Sequence, residues 1–422
     1  MAAGHLYRGP AMTIRQLSAA LLAASLCQPA QAAAPGPEEM WALIQKQQLE
    51  IEALKKRLAE SDNRIQDTVL MVEATADKVE STSVALAPQA RWVEKTRVGG
   101  YGEMHLNKLQ NDRDGGDDKD QIDFHRMVLF VDHQFSARTR FVSELELEHS
   151  VTGEDNGGEY ELEQAYVEHD IGGGQRIKAG LFLVPVGLLN ETHEPDTFYG
   201  VERNNVERNI IPATWWEGGV AAAGEIAPGL SYDAALTSGL GLDPGEGQWK
   251  IRDGRQNVSE ADASSPAWTG RLRYTGIAGL ELGTSLQYQG DIYQGALPDK
   301  IDAWLYEAHL ALRRGPFGLR ALYAGWDINE DIEAFAAGAD RQEGWYVEPS
   351  WRFDERWGVF ARYSDWDNQA GGGLDTGYSQ WDIGINYWLE EGVVLKLDYQ
   401  RQDAPEGKDQ LDGLNLGVGL SF

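Results

Sequence analysis

Eight histidines, a single cysteine and a large excess of carboxylates are the residues of this 422-residue chain that could do chemistry. The histidines are His5, His105, His125, His133, His149, His169, His193 and His309. None stands in an HExxH pair or at another metal-ligand spacing, and an isolated strand histidine is seldom a ligand without a second one nearby. His125 and His133 fall on one strand, with Met127, Leu129 and Val131 between them on the same face. The chain has no GxSxG elbow and no glycine-rich phosphate loop. Cys27 lies in a stretch that reads as a removable leader, so thiol catalysis, disulfides and thiolate metal sites are not expected. The expectation is therefore no catalytic residue, no metal and no cofactor. A Ser/His or Asp/His hydrolase site has no marker here.

What remains is charge and its placement. There are 67 Asp and Glu against 37 Lys and Arg, a formal net charge of −30. That balance excludes nucleic acid as a partner, since nucleic-acid binding needs a basic footprint. Alternation along strands puts Arg138, Arg140, Arg176, Lys178, Arg271, Arg273, Arg362 and Lys396 on a water-facing side. Glu144, Glu146, Glu148, Glu161, Glu163, Glu281, Asp382 and Asp398 share that side. A mixed lining predicts a transverse field that orients polar solutes rather than a filter of one sign. The longest connection, 185–213, adds Glu191, Glu194, Arg203 and Arg208. A loop of that length without regular structure is more often functional than idle. Arg203 and Arg208 are candidates to narrow a passage, unless they only pair with Glu202 and Glu207 and hold the loop's shape.

The elements that would carry these residues are strands of period two. In Val393 to Gln400, Val393, Leu395, Leu397 and Tyr399 oppose Val394, Lys396, Asp398 and Gln400. In the last segment, Leu414, Leu416, Val418, Leu420 and Phe422 oppose Gly413, Asn415, Gly417, Gly419 and Ser421. Such segments run about ten residues, the length of a tilted membrane-crossing strand, whereas soluble strands run about five or six. About sixteen are expected, starting near 97, 121, 138, 159, 175, 214, 229, 265, 279, 301, 317, 342, 356, 377, 393 and 409. Short turns such as Gly172-Gly173-Gly174, Gly315-Pro316 and Glu391-Gly392 alternate with long loops at 108–120, 185–213, 241–264 and 327–341. This rhythm predicts an all-β, antiparallel transmembrane β-barrel over 97–422, with short periplasmic turns, both ends periplasmic and lipid outside. Trp215, Trp216, Trp345, Trp351, Trp357, Trp366, Trp381, Tyr387 and Trp388 lie near strand ends and are expected to form interfacial girdles.

Two further segments precede the barrel. Arg8 and Arg15, an apolar run from Leu17 and the Ala30-Gln31-Ala32 triplet read as a signal peptide over 1–32, with Met1 or Met12 as its start. Leu26 before Cys27 does not suit a lipobox. Over 38–87, Ile44, Ile51, Leu58, Ile65, Val72, Val79 and Leu86 recur every seventh residue. That is an α-helical coiled-coil seam, with mixed partner positions (Leu54 beside Gln47, Ser61 and Thr68). Pro88 is expected to break the helix. Self-association in the periplasm is the natural use of such a seam; packing of a lone helix on the barrel or cell wall is the alternative.

The run Gly180-Leu181-Phe182-Leu183-Val184-Pro185-Val186-Gly187 continues through Asn190-Glu191-Thr192-His193-Glu194-Pro195 to Phe198-Tyr199-Gly200-Val201-Glu202-Arg203-Asn204. With 141–149 and 161–168, it resembles the phosphate-selective porin O and P family. The resemblance covers most of 97–422. It implies a sixteen-stranded, trimeric outer-membrane channel whose third loop narrows the pore, with anions such as phosphate among its solutes. The acidic residues on the water face predict weak phosphate selectivity. The leading coil is similar to the arrangement in sucrose porins, which implies sugars as a second solute class. The closing Leu414–Phe422 strand resembles the signal read by barrel-assembly machinery. The sequence thus predicts passive diffusion of small polar or ionic solutes in the outer membrane of a Gram-negative bacterium. A structural tether between membrane and cell wall is the competing function.

Overall fold

The computed structural model describes residues 36–151, 157–329 and 338–422. The expected leader and Cys27 lie outside them. Two compact units divide after Pro88.

The first element, α1, is a single helix, Pro37–Lys95. It continues through Pro88, contrary to the expected break. A proline removes one intrahelical hydrogen bond and crowds the preceding turn, but the ladder on either side can carry the helix on. Ile44, Ile51, Leu58, Ile65 and Val72 of the heptad seam are all exposed. A helix of this length with an uncovered apolar seam calls for a partner surface.

Among the described residues, sixteen strands follow and close into one antiparallel barrel. They are β1 Thr96–Asn111, β2 Lys119–Gln134, β3 Thr139–Glu148, β4 Tyr160–Gly172, β5 Gln175–Leu183, β6 Trp216–Ala227, β7 Leu230–Thr237 and β8 Ala267–Ile277. The circuit continues through β9 Leu280–Gln289, β10 Ala303–Arg314, β11 Phe317–Ile328, β12 Arg341–Arg352, β13 Trp357–Asp367, β14 Tyr378–Glu390, β15 Val393–Asp403 and β16 Leu411–Ser421. Every strand begins within two residues of its expected start. β1 pairs with β16 through Tyr101↔Ser421 to Asn111↔Leu411. Phe422 and Gly100 exchange both backbone hydrogen bonds at 2.9 and 3.0 Å, which finishes the seam. Closure leaves no strand edge unpaired, the condition for backbone to sit in hydrocarbon.

Alternation sorts the two faces as the pleat requires. Along β15, Val394, Lys396, Asp398 and Gln400 are buried inside while Leu395, Leu397 and Tyr399 are exposed outside. Aromatic pairs belt the outer wall: Tyr288 with Trp304, Trp345 with Tyr363, Tyr363 with Trp381, and Trp357 with Tyr387 at 4.4 Å. Trp215, Trp216 and Trp366 do not join these belts, against expectation. They are buried in an interior apolar cluster or beside it, because the long loops fold inward and need aromatic partners there. Trp388 also faces inward, under the Arg352 guanidinium at 4.0 Å.

Candidate functional site

The loop 184–215 between β5 and β6, called L3 here, runs inside the barrel. Its helix α2, Asn205–Asn209, begins at an Asn204 cap whose side chain accepts from the Glu207 amide. Val206, Ile210 and Ile211 are fully buried against β10–β13 residues including Leu322, Trp326 and Tyr346. Burial of three such side chains stabilises the inward path by about 1.5–3 kcal/mol each. Trp326 Nε1 donates to the Ile210 carbonyl at 2.9 Å.

Glu207 is the polar centre of this packing. Its Oε1 accepts from the Leu188 and Leu189 amides at 2.7 and 2.6 Å. Its Oε2 accepts from Asn204 Nδ2 at 2.9 Å and from the Tyr346 hydroxyl at 3.1 Å. Burial pushes the Glu207 carboxyl above its ordinary range, and these four bonds oppose that rise. Glu207 does not pair with Arg208, so the alternative of a local loop-shaping pair fails at this position.

The rest of L3 is tied to strands around the lumen. Glu191 meets Arg271 of β8, which also binds Asp233 at 2.8 Å. His193 Nε2 lies 3.4 and 3.6 Å from Glu163 and Glu144, and Arg126 donates to the His193 carbonyl at 2.9 Å. Burial alone would lower the His193 imidazolium, but its close approach to the Glu144 and Glu163 carboxylates outweighs it and pushes the group up to about 10. Lys396 donates to the Gly200 carbonyl at 2.8 Å, and Asp398 accepts from the Val201 amide at 2.6 Å. Arg362, bonded to Asp382 at 3.0 Å, reaches the Glu202 carbonyl. Glu202 meets His105 at 3.2 Å; although burial raises it, that contact holds the carboxyl well below the usual range.

The expected lining residues fall into three groups. Arg140, Arg176, Lys178, Arg271 and Arg273 come together around a cavity of about 260 Å³ that also touches Glu168, Glu191 and Asp233. Arg362 and Lys396 are buried anchors of L3. Arg138 lies exposed in the turn between β2 and β3. Within L3, Glu194 is half-buried and supplies its carbonyl to the Thr197 amide, while Arg203 donates to Thr214 Oγ1 at 2.6 Å.

On the long-loop side, L3 borders a cavity of about 350 Å³. One wall is acidic, with Glu103, Glu146, Glu148, Glu161 and Glu163 on β1, β3 and β4. Arg203 and Arg208 of L3 line it with Arg252 and Arg255, from the 238–266 loop between β7 and β8. Sequence reading had not singled out these last two arginines, whose loop shows no periodicity. Arg252 donates to the Arg208 and Ala213 carbonyls, both at 2.9 Å, and Arg255 to the Thr214 carbonyl at 2.5 Å. The two loops are thereby stapled into one body. Burial, then the charges of Arg255 and Arg208, bring Arg252 down to about 9. On the short-turn side, a second cavity of about 420 Å³ reaches from Asp196 and Tyr199 of L3 to Arg313 and Arg352. Phe198 borders both.

A closed barrel with an inward loop that divides its lumen is the architecture of a channel, and the comparisons with known proteins agree. Residues 69–407 match the family described as Gram-negative porin. The chain belongs to that family. This porin is therefore an outer-membrane channel for passive diffusion, not an enzyme. It is 29% identical over 385 residues to an "Uncharacterized protein" of Aquifex aeolicus (strain VF5), covering 81% of this chain and 84% of that one. Among solved structures, the porin is similar to Salmonella typhi OmpF in complex with daunomycin at a TM-score of 0.56 and 14% identity, over 78% of this chain and 97% of that one. It is also similar to the anion-selective porin from Comamonas acidovorans, at a TM-score of 0.55 and 13% identity, over 78% of this chain and 99% of that one. At those identities the likeness is one of fold.

Proposed function

We propose that this porin passes small polar and ionic solutes, anions such as phosphate among them, through a constriction bounded by L3. The observation that carries this is the cavity whose walls are Glu103, Glu146, Glu148, Glu161 and Glu163 on one side and Arg203, Arg208, Arg252 and Arg255 on the other. Opposed charges in a confined lumen act on a solute's dipole as well as its net charge, so they favour orientation over exclusion. The basic group of Arg140, Arg176, Lys178, Arg271 and Arg273 gives anions a second station nearer the short-turn end. Three carboxylates beside that group temper it, and phosphate is admitted rather than selected.

In this reading the short turns face the periplasm, α1 lies in that compartment, and its exposed seam joins three copies into a trimer. The closing strand, paired to β1 and ending on Phe422, is the segment presented to the assembly machinery.

Reversal potentials across a planar bilayer in a potassium chloride gradient test the reading. The expected chloride-to-potassium permeability ratio is within roughly threefold of unity, because opposed walls cancel much of each other's field. Added phosphate should leave chloride conductance nearly unchanged. Strong block by millimolar phosphate would make this a phosphate-selective channel, and silence from folded, pure protein would refute permeation altogether.

A further inference from the structure

We propose that Asp123, His125 and His149 form a binding site for a divalent transition-metal ion of the zinc class, at the long-loop end of the constriction. His149 Nδ1 stands 2.7 Å and His125 Nδ1 3.4 Å from Asp123 Oδ2. One ligand atom from each of the three lies within 4.8 Å of the others. A tetrahedral zinc ion with bonds of about 2.0–2.1 Å spaces its ligand atoms about 3.3 Å apart. The two carboxylate separations bracket that spacing, so small side-chain rotations would seat an ion.

The backbone builds this group in a way that strand alternation would not. Arg126 pairs with Glu103 and Asp123 with His105, so β2 uses three steps where β1 uses two. The extra residue is a β-bulge, which re-aims a side chain. It lets His125 and Arg126, adjacent in sequence, both line the constriction cavity, whereas regular alternation would send His125 out with Met127, Leu129 and Val131. His149 follows directly on β3 in the left-handed region, at φ 49°, a conformation a non-glycine residue seldom holds. Its amide donates to the His125 carbonyl at 3.1 Å, which fixes the two histidines to each other through the main chain. Their rings meet edge-on at 5.4 Å between centroids.

The surroundings suit an ion that enters and leaves from the lumen. His105 stacks on His125 at 4.9 Å and backs the site. Both His105 nitrogens are taken up by Glu103 and Glu202 at 3.2 Å, so it supports rather than ligates. The ligand side chains are 17%, 34% and 35% exposed for Asp123, His125 and His149. Three protein ligands with solvent access leave a position open for water or a passing solute. Two imidazoles and one carboxylate select zinc, nickel or copper(II) over magnesium and calcium, which prefer oxygen alone.

Zinc chloride titrated into tag-free, full-length protein in detergent should give one binding event per chain, at least tenfold tighter than magnesium chloride gives. His125→Ala and His149→Ala should each weaken it at least tenfold, while His169→Ala leaves it unchanged. Unmodified protein supplies a second readout: zinc should protect His125 and His149, but not His169, from diethyl pyrocarbonate. Zinc binding that survives the double variant, binding no tighter than magnesium, or absent protection would each overturn the assignment. If bilayers were silent while zinc still bound, the channel reading would fall and the metal site would stand.

Discussion

Glu207 offers the sharpest test of how the constriction is held. Glu207→Ala removes the acceptor of the Leu188 and Leu189 amides and leaves Asn204 and Tyr346 without their shared partner. Each orphaned amide costs about 1–3 kcal/mol, so the inward state of L3 should lose about 2–6 kcal/mol. At 1.4 kcal/mol per decade, its opening equilibrium rises roughly 30-fold to beyond 10⁴-fold. Glu207→Gln should be much milder. Its oxygen can still accept from both amides, and the Tyr346 hydroxyl can turn to accept from the new amide. Only the approach to Asn204 Nδ2 sets donor against donor, a loss of about 1 kcal/mol.

Hydrogen exchange read by mass spectrometry on peptides within 184–215 measures this opening, and single-channel recordings should show matching flicker. The pH dependence adds a sign. Because burial raises the Glu207 carboxyl in the folded loop, the folded state binds its proton more tightly than the open loop does. Inward stability should therefore be greatest below the ordinary carboxylate range and decline as pH rises from there to the raised value. Glu207→Gln should abolish that decline. If Glu207→Ala exchanges like the wild type, or Glu207→Gln opens as far as Glu207→Ala, the carboxylate does not hold the loop.

Three further outcomes follow from the same geometry. His193, pushed up to about 10 by Glu144 and Glu163 against the effect of burial, holds L3 through its proton. Its contribution is complete below the ordinary histidine range, persists through neutrality and is lost as pH rises through about 10; exchange of 184–215 should quicken there in the wild type but not in His193→Gln. The double variant Arg252→Gln/Arg255→Gln removes two positive charges from the cavity wall, and reversal potentials should move toward cations by about twofold in permeability ratio per charge in a screened lumen. Deleting residues 38–86 removes the exposed heptad seam, so native mass measurement should show the proposed trimer falling to single barrels while conductance per barrel is kept.

What could be read from the sequence, and what could not, divides along one physical line. Strand starts from β1 to β16 were legible because side chains on a pleated sheet alternate, and a barrel's wet and lipid faces impose that period on composition. The same regularity predicts a water-facing side for Glu146, Glu163, Arg271 and Lys396, and all four are buried within the barrel. It failed where the backbone departs from it. The bulge in β2 turned His125 inward, and nothing in the local composition marks one extra residue between Phe124 and Arg126. Loop partners were equally hidden. Glu202 and Arg203 are adjacent, yet one meets His105 on β1 and the other Thr214 at the far end of L3. Arg252 and Arg255 reach the constriction only because the 238–266 loop docks on L3 carbonyls, a contact with no periodicity to betray it. The wall of this porin is thus specified by pattern, and the lining of its lumen by irregularity as well. A relative that kept every alternating strand but lost the β2 bulge would keep the barrel and turn His125 toward lipid, and the metal site would go with it.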